Sequence, residues 1–196
     1  MHRLLTTTLL VALGSFSLAP LSAHARSLEY VVKLAGAAVG EMRHIDTDGD
    51  GAPDKEANCF DVPLTDPNTG LTVGTGSDCL SDLEVLNEND AGCNSADSLV
   101  GCAVRLIDTT IFEFDDGTLV SQGPVSIPVV LDEVSPGAGI THITGSFPVE
   151  NNILYGTGRF EGGTGSVRLS GGVDMSETVS DNEIIFDCFF ALHVNR

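Results

Sequence analysis

Short apolar runs separated by turn-forming residues fill most of this chain, and that rhythm constrains its fold more than anything else in it. The runs are Phe60–Thr65, Leu71–Leu80, Ala103–Phe114, Thr118–Val130, Ile140–Phe147, Asn152–Tyr155, Thr164–Asp174 and Glu183–Val194. Turn signals lie between them: Asp66-Pro-Asn-Thr-Gly70, Asp115-Asp-Gly117 and Ser135-Pro-Gly-Ala-Gly139. An Asp-Gly pair supplies the positive φ that a tight hairpin needs. Strands at a spacing of about 8–12 residues predict an all-β sandwich or barrel, and the lack of a βαβ pattern predicts an antiparallel sheet. Pro63 demotes its run to an edge or a bulge, because proline cannot donate to a ladder. Glu84 to Ser98 is polar and reads as a loop. The last run is apolar on both faces, with Phe186, Cys188, Phe190 and Leu192 on one and Ile185, Phe189 and Ala191 on the other. Both of its faces therefore need cover.

The first residues read as an export signal. His2 and Arg3 give a positive start, Leu4 to Leu21 is mostly apolar, and Ser22-Ala-His-Ala25 offers small residues for cleavage after Ala25. The alternative, an uncleaved anchor, is opposed by Gly14 and Pro20 within a short run. The expected organisation is a signal peptide at 1–25, an N-terminal segment at 26–57 and one domain at 58–196, secreted or periplasmic. Leu28 to Val39 reads either as a helix capped by Ser27 or as a first strand.

Charge excludes some partners. Asp and Glu number 28 against 9 Lys and Arg, a net charge of −19. Such a surface repels phosphates, which argues against nucleic acid and anionic lipid and favours divalent cations. No stretch after the signal is apolar enough for stable membrane insertion. The five cysteines all lie in the exported part, where disulfides form. Cys93 and Cys102 flank a polar loop and are the easiest pair. Cys59 and Cys79 flank a hairpin and come second. Cys188 reads as a buried free thiol.

The stretch Gly156-Thr-Gly-Arg-Phe-Glu-Gly-Gly-Thr-Gly-Ser-Val-Arg-Leu-Ser-Gly171 is unusually rich in glycine for a region that becomes strand-like from Thr164. It is no nucleotide loop, having neither Gly-x-Gly-x-x-Gly nor a phosphate-binding lysine. Gly156-Thr-Gly158, Phe160, Gly162-Gly163 and Gly165 resemble the glycine signature of the allene oxide cyclase and dirigent barrel proteins. Phe60-Asp-Val-Pro-Leu-Thr-Asp66 with Gly70 and Val73-Gly-Thr-Gly76 resembles their early hairpin. Phe112-Glu-Phe-Asp-Asp-Gly-Thr-Leu119 with Gln122-Gly123 resembles their central hairpin, and Ile143-Thr-Gly145 their approach to the signature. The resemblance spans about residues 58–194. It implies a closed antiparallel β-barrel of about eight strands, an apolar cavity, chemistry without an organic cofactor and a homo-oligomer, in particular a trimer. Closing such a ring demands sharp coiling, which glycines permit. None of the cyclase's catalytic polar residues maps onto this chain by a motif.

Asp46-Thr-Asp48-Gly-Asp50-Gly51-Ala52-Pro-Asp54 is the sharpest chemical signal. Carboxylates at relative positions 1, 3, 5 and 9, with Gly51 at the turn and the Ala52 carbonyl available, form a pattern that wraps a structural Ca²⁺. Followed by Asn58-Cys59, it looks like a thrombospondin type 3 repeat. Position 12 is Ala57 instead of an acid, and Glu56, Asp61 or water must substitute. The bland reading is a solvated acidic turn.

No nucleophile-elbow, zinc-protease or Cys-x-x-Cys motif is present. Glu113, between Phe112 and Phe114, is a weak catalytic candidate: inside an apolar barrel it would act as a general acid or base, and otherwise it is a solvated strand residue. His142 reads as a surface or hydrogen-bonded histidine. Arg159 and Arg168 read as partners of surface acids. Two functions compete. One is a barrel that binds an apolar small molecule, as a cofactor-free cyclase or a steering protein. The other is a filled, calcium-stabilised structural or adhesive module.

Overall fold

The computed structural model describes residues 27–86, 93, 102–128, 151–175 and 181–196, together with the backbone of 140–145. The proposed signal and the turn at 135–139 lie outside the described residues. Among the described residues ten strands form one antiparallel sheet: β1 (Ser27–Val39), β2 (Glu41–Ile45), β3 (Lys55–Thr65), β4 (Thr72–Val85), β5 (Val104–Phe114), β6 (Gly117–Ile127), β7 (Ile140–Gly145), β8 (Ile153–Gly156), β9 (Thr164–Asp174) and β10 (Glu183–Asn195). Their spatial order is β1-β10-β9-β7-β6-β5-β4-β3-β2, with β8 beside β6. The all-β antiparallel expectation is met. Leu28 to Val39 is a strand, because its alternating side chains ladder along the whole of β10, from Ser27–Asn195 to Val39–Glu183.

The sheet curls until β1 also meets β3, through Lys33–Thr65 and Leu34–Leu64. That seam is two residue pairs long. The structure is thus a strongly curled sheet with a short seam, not the barrel laddered round its whole circumference that the sequence led us to expect. Residue 58, where the sequence suggests that the main domain begins, lies within a strand, β3. β1 and β2 belong to the same sheet as the later strands.

Period-two alternation decides which side chains fill the concave face. Phe60, Val62 and Leu64 of β3, Phe112 of β5, Leu119 of β6 and Phe186, Phe190 and Leu192 of β10 are all buried there. Phe112 and Phe190 meet edge to face at 5.1 Å, as do Phe60 and Phe186 at 5.7 Å. At one end Tyr30, Phe114 and Phe160 surround the Arg159 guanidinium, whose carbon lies 4.7–4.9 Å from the three ring centres. Asp116 holds the same guanidinium at 2.9 Å. Aromatic faces attract a cation, so this end is plugged. The outer face of β10 remains apolar, with Ile185 44 % and Phe189 42 % exposed.

The prolines occupy gaps in the ladder. On its outer side β3 pairs with β2 through Cys59 and with β1 from Leu64, and Pro63 sits between them. Pro124 likewise falls between the β8 and β7 partners of β6. Neither position asks for the N–H that proline lacks. Where β7 has ended, Asn152 replaces a strand. Its side chain accepts from Val167 N–H at 2.7 Å and donates to the Val167 carbonyl at 2.9 Å.

The glycine string divides in two. Gly158, at φ 55°, and Gly162, at φ 68°, shape a 3-10 turn at Gly158–Phe160 and its exit, which carries Phe160 and Arg159 into the plug. Gly165, at φ 139°, lies in β9, where a Cβ would collide with the His193 carbonyl of β10. Part of the string therefore builds the plug, and only its second half serves close strand approach. Cys59–Cys79 and Cys93–Cys102 are disulfides and Cys188 is free and buried, as expected.

Candidate functional site

Among the described residues, polar side chains gather in a buried layer, in a recess at one end of the curl and in an acidic loop. The first is a polar layer inside the curl. Counting by twos from Phe112 along β5 places Thr110 and Asp108 on the concave face, and Asp78 of β4 lies opposite Thr110. Asp78 is 2 % exposed and Asp108 6 %. Thr110 Oγ1 lies 3.1 Å from Asp108 Oδ2 and 3.5 Å from Asp78 Oδ1. Among the described residues Asp108 Oδ1 has no hydrogen-bond partner.

Burial pushes the Asp78 carboxyl up to about 6. Burial, and then the neighbouring Asp78 charge, push Asp108 well above the usual carboxylate range. Two carboxyls this close and this dry cannot both ionise, so they share a proton at neutral pH. The adjoining void, lined by Asp108, Thr110, Ser121 and Phe190 among others, measures about 10 Å³. That is room for a single water. The layer can hold and donate a proton, but it has no space for an organic substrate.

The second feature is a cavity of about 370 Å³ at the end opposite the plug. Phe60, Leu80, Leu106, Met175 and Ile184 line it, with Met42 and Leu83 at the rim. Its polar lining comes from Lys55, Glu56, Asn58, Ser81 and Asp82. A β-bulge between Ser81 and Glu84 carries Asp82 at φ 51° and turns it toward Lys55, 2.7 Å away. Bulges re-aim side chains in this way. The cavity lies above the polar layer, since Leu80 pairs with Asp108 across β4 and β5.

The third feature is the acidic loop. Asp46, Asp48 and Asp50 bring carboxylate oxygens within 4.8 Å of one another. Asp46 accepts backbone N–H groups from Gly49 at 2.7 Å and Gly51 at 2.8 Å, which hold its carboxyl below the usual range against the opposing effect of desolvation. Asp54 turns away to Thr47, whose hydroxyl donates to it at 2.8 Å. Asp61, one of the residues that could stand in for position twelve, is bound by Arg43 at 2.6 Å and 2.8 Å and by Ser77 at 2.6 Å. The Tyr155 hydroxyl of β8 donates to the Asp46 carbonyl at 3.3 Å. The loop therefore reaches from β2 and β3 as far as β8. The Cys59–Cys79 disulfide is buried nearby with Ile45, Ala57 and Ile111, in a small cluster separate from the main core.

Glu113 is exposed on the outer face, because Phe112 and Phe114 take the inward parity. Among the described residues, the carboxylates inside the curl are Asp78 and Asp108, which the sequence reading passed over. The signal was available: inward parity fixed by Phe112 runs through Thr110 and Asp108 to Leu106. Burial raises the Cys188 thiol to about 12, and nearby acids add to the shift, so it is no nucleophile at neutral pH. His142 belongs to β7, whose side chains lie outside the described part.

No protein-family model matches this chain, and neither does any curated protein sequence. Among solved structures it is similar to the Diels Alderase AbmU from Streptomyces koyangensis, at 14 % identity and a TM-score of 0.34, covering 88 % of this chain and 70 % of that one. It is also similar to a nonspecific heme-binding cyclase that catalyzes a 4 + 2 cycloaddition during neoabyssomicin biosynthesis, at 15 % identity and a TM-score of 0.31, covering 89 % of this chain and 66 % of that one. Likeness at these values carries no functional argument.

Proposed function

We propose that this protein binds an apolar small molecule at the open end of its curled sheet, which acts as a barrel-like container. The observation that carries this is the cavity of about 370 Å³ floored by Phe60, Leu80, Leu106, Met175 and Ile184. Pockets of this size and lining are where proteins hold small ligands. The resemblance to allene oxide cyclase and dirigent proteins supports the same reading. If the protein is an enzyme, cyclisation or steering of a coupling belongs in this cavity, since such chemistry needs positioning and dryness and no prosthetic group. Leu106→Trp should fill the floor. Native mass spectrometry and displacement of an apolar dye are expected to show binding in the unaltered chain and a loss of about tenfold or more in the variant. Equal binding by both would remove the cavity as the site.

The filled interior favours a second reading, a structural module tied down by Ca²⁺. Asp46, Asp48 and Asp50 would hold the ion together with the Ala52 carbonyl and water, and Asp54 would join only by leaving Thr47. The ion's role would be to fix a loop that spans from β3 to β8. With calcium at about a hundred times its dissociation constant, removal by chelator should cost about 2.7 kcal/mol, a fall in Tm of roughly 5–10 °C. Asp48→Asn with Asp50→Asn should abolish that sensitivity. A Tm indifferent to chelator in the unaltered chain would remove the calcium reading. Two disulfides fit an oxidising compartment, in keeping with secretion or a periplasmic location.

A further inference from the structure

The cavity at the open end carries information about its ligand's charge. Glu56 shares the inward parity of Asn58 and Phe60 on β3 and lines the cavity. Its carboxylate has no hydrogen-bond or ion-pair partner among the described residues. Lys55 is the only cation lining the cavity among the described residues, and its ammonium is already engaged by both oxygens of Asp82, at 2.7 Å and 2.8 Å. The bulge that holds Asp82 fixes this pairing. His44 lies directly across the β2–β3 ladder from Glu56. Against the apolar floor, then, the described lining presents one uncompensated negative charge, that of the solvent-exposed Glu56.

We propose that the ligand is an amphiphile with an apolar body and a single protonated amine, the amine meeting Glu56 and the body resting on Phe60, Leu106 and Ile184. This rests on the open-end cavity being a binding site and adds the chemical class of what enters it. A carboxylate-headed ligand of equal length would face Glu56 and Asp82, with no free cation among the described lining residues to receive it.

The test compares decylamine, decanol and decanoate on the full chain by dye displacement. At about pH 8 decylamine is protonated and decanoate ionised, and about 0.15 M salt screens the distant surface charge. Decylamine should bind about tenfold more tightly than decanol, the scale of one charge-assisted hydrogen bond, with decanoate weakest. Glu56→Gln should bring decylamine level with decanol, and Glu56→Lys should reverse the order. Glu161→Gln, an exposed acid on the turn at the plugged end, should leave the order intact. Equal affinities for the three probes, or an amine preference that survives Glu56→Gln, would overturn the assignment while leaving the cavity as a binding site. Binding of none of them would remove the cavity reading and this inference together.

Discussion

Phe112→Ala is expected to cost about 3–5 kcal/mol of stability, the usual range for deleting a fully buried ring. Phe112 is 0 % exposed and packs edge to face on Phe190, itself 1 % exposed. It lies across the ladder from Gly76, where a Cβ would press on Leu34 and Leu64. The neighbours that would have to collapse into the hole are strands held on both sides, so the cavity persists and the cost stays high. Urea denaturation measures it. Phe189→Ala, one residue from Phe190 but facing outward, is the control and should cost less than about 1 kcal/mol. Equal midpoints for the two variants would mean that the concave face is not the core.

The second large effect comes from the buried acid pair. Asp78 and Asp108 have raised carboxyl pKa values in the folded chain and ordinary values near 4 when unfolded. Between those values the folded state holds protons that the unfolded state has released. Stability from the pair is therefore complete below about pH 4 and is lost as pH rises. For Asp78 the loss runs from about 4 to about 6, and for Asp108 it continues above that. Asp78 alone contributes on the order of 3 kcal/mol. At the acid side the opposite holds for Asp61, whose carboxyl is depressed first by its Arg43 hydrogen bonds, and its stabilisation fades as pH falls. The stability profile should peak near about pH 4 and decline toward 8. Asp78→Asn with Asp108→Asn should flatten the decline. A decline that persists undiminished in that double variant would show that the pair does not share a proton.

Most of the strand pattern was legible in the sequence because alternation and turn chemistry are local. Thr164–Asp174 and Glu183–Val194 read as strands, and both disulfides followed from the segments that their cysteines flank. β2 escaped notice, because Glu41-Met-Arg-His-Ile45 is too short and polar to announce itself and owes its existence to pairing with β3. The length of the β1–β3 seam was equally hidden, since it depends on how far eight or more twists accumulate. Glu113 drew attention because it stood between two phenylalanines, but its parity sends it outward. Asp108, flanked by Ile107 and Thr109, looked ordinary until the register showed which face it shared. The acidic loop was the reverse case. Its triad is visible in the string of residues, whereas the Thr47 hydrogen bond that claims Asp54 is not.

β1 and β10 lie side by side for thirteen residues each, from Ser27 opposite Asn195 to Val39 opposite Glu183. A strand made early thus waits for one made much later. β1 cannot be paired along its length until β10 has been synthesised, and the entropy of that long-range closure falls on this late step. Until then β1 presents a bare ladder edge to any other strand, which makes the interval before β10 arrives the period of greatest exposure to aggregation. The same adjacency places residues 27 and 195 close enough that a short linker between them, with new ends opened at the Asp66–Gly70 turn, would preserve every strand neighbour.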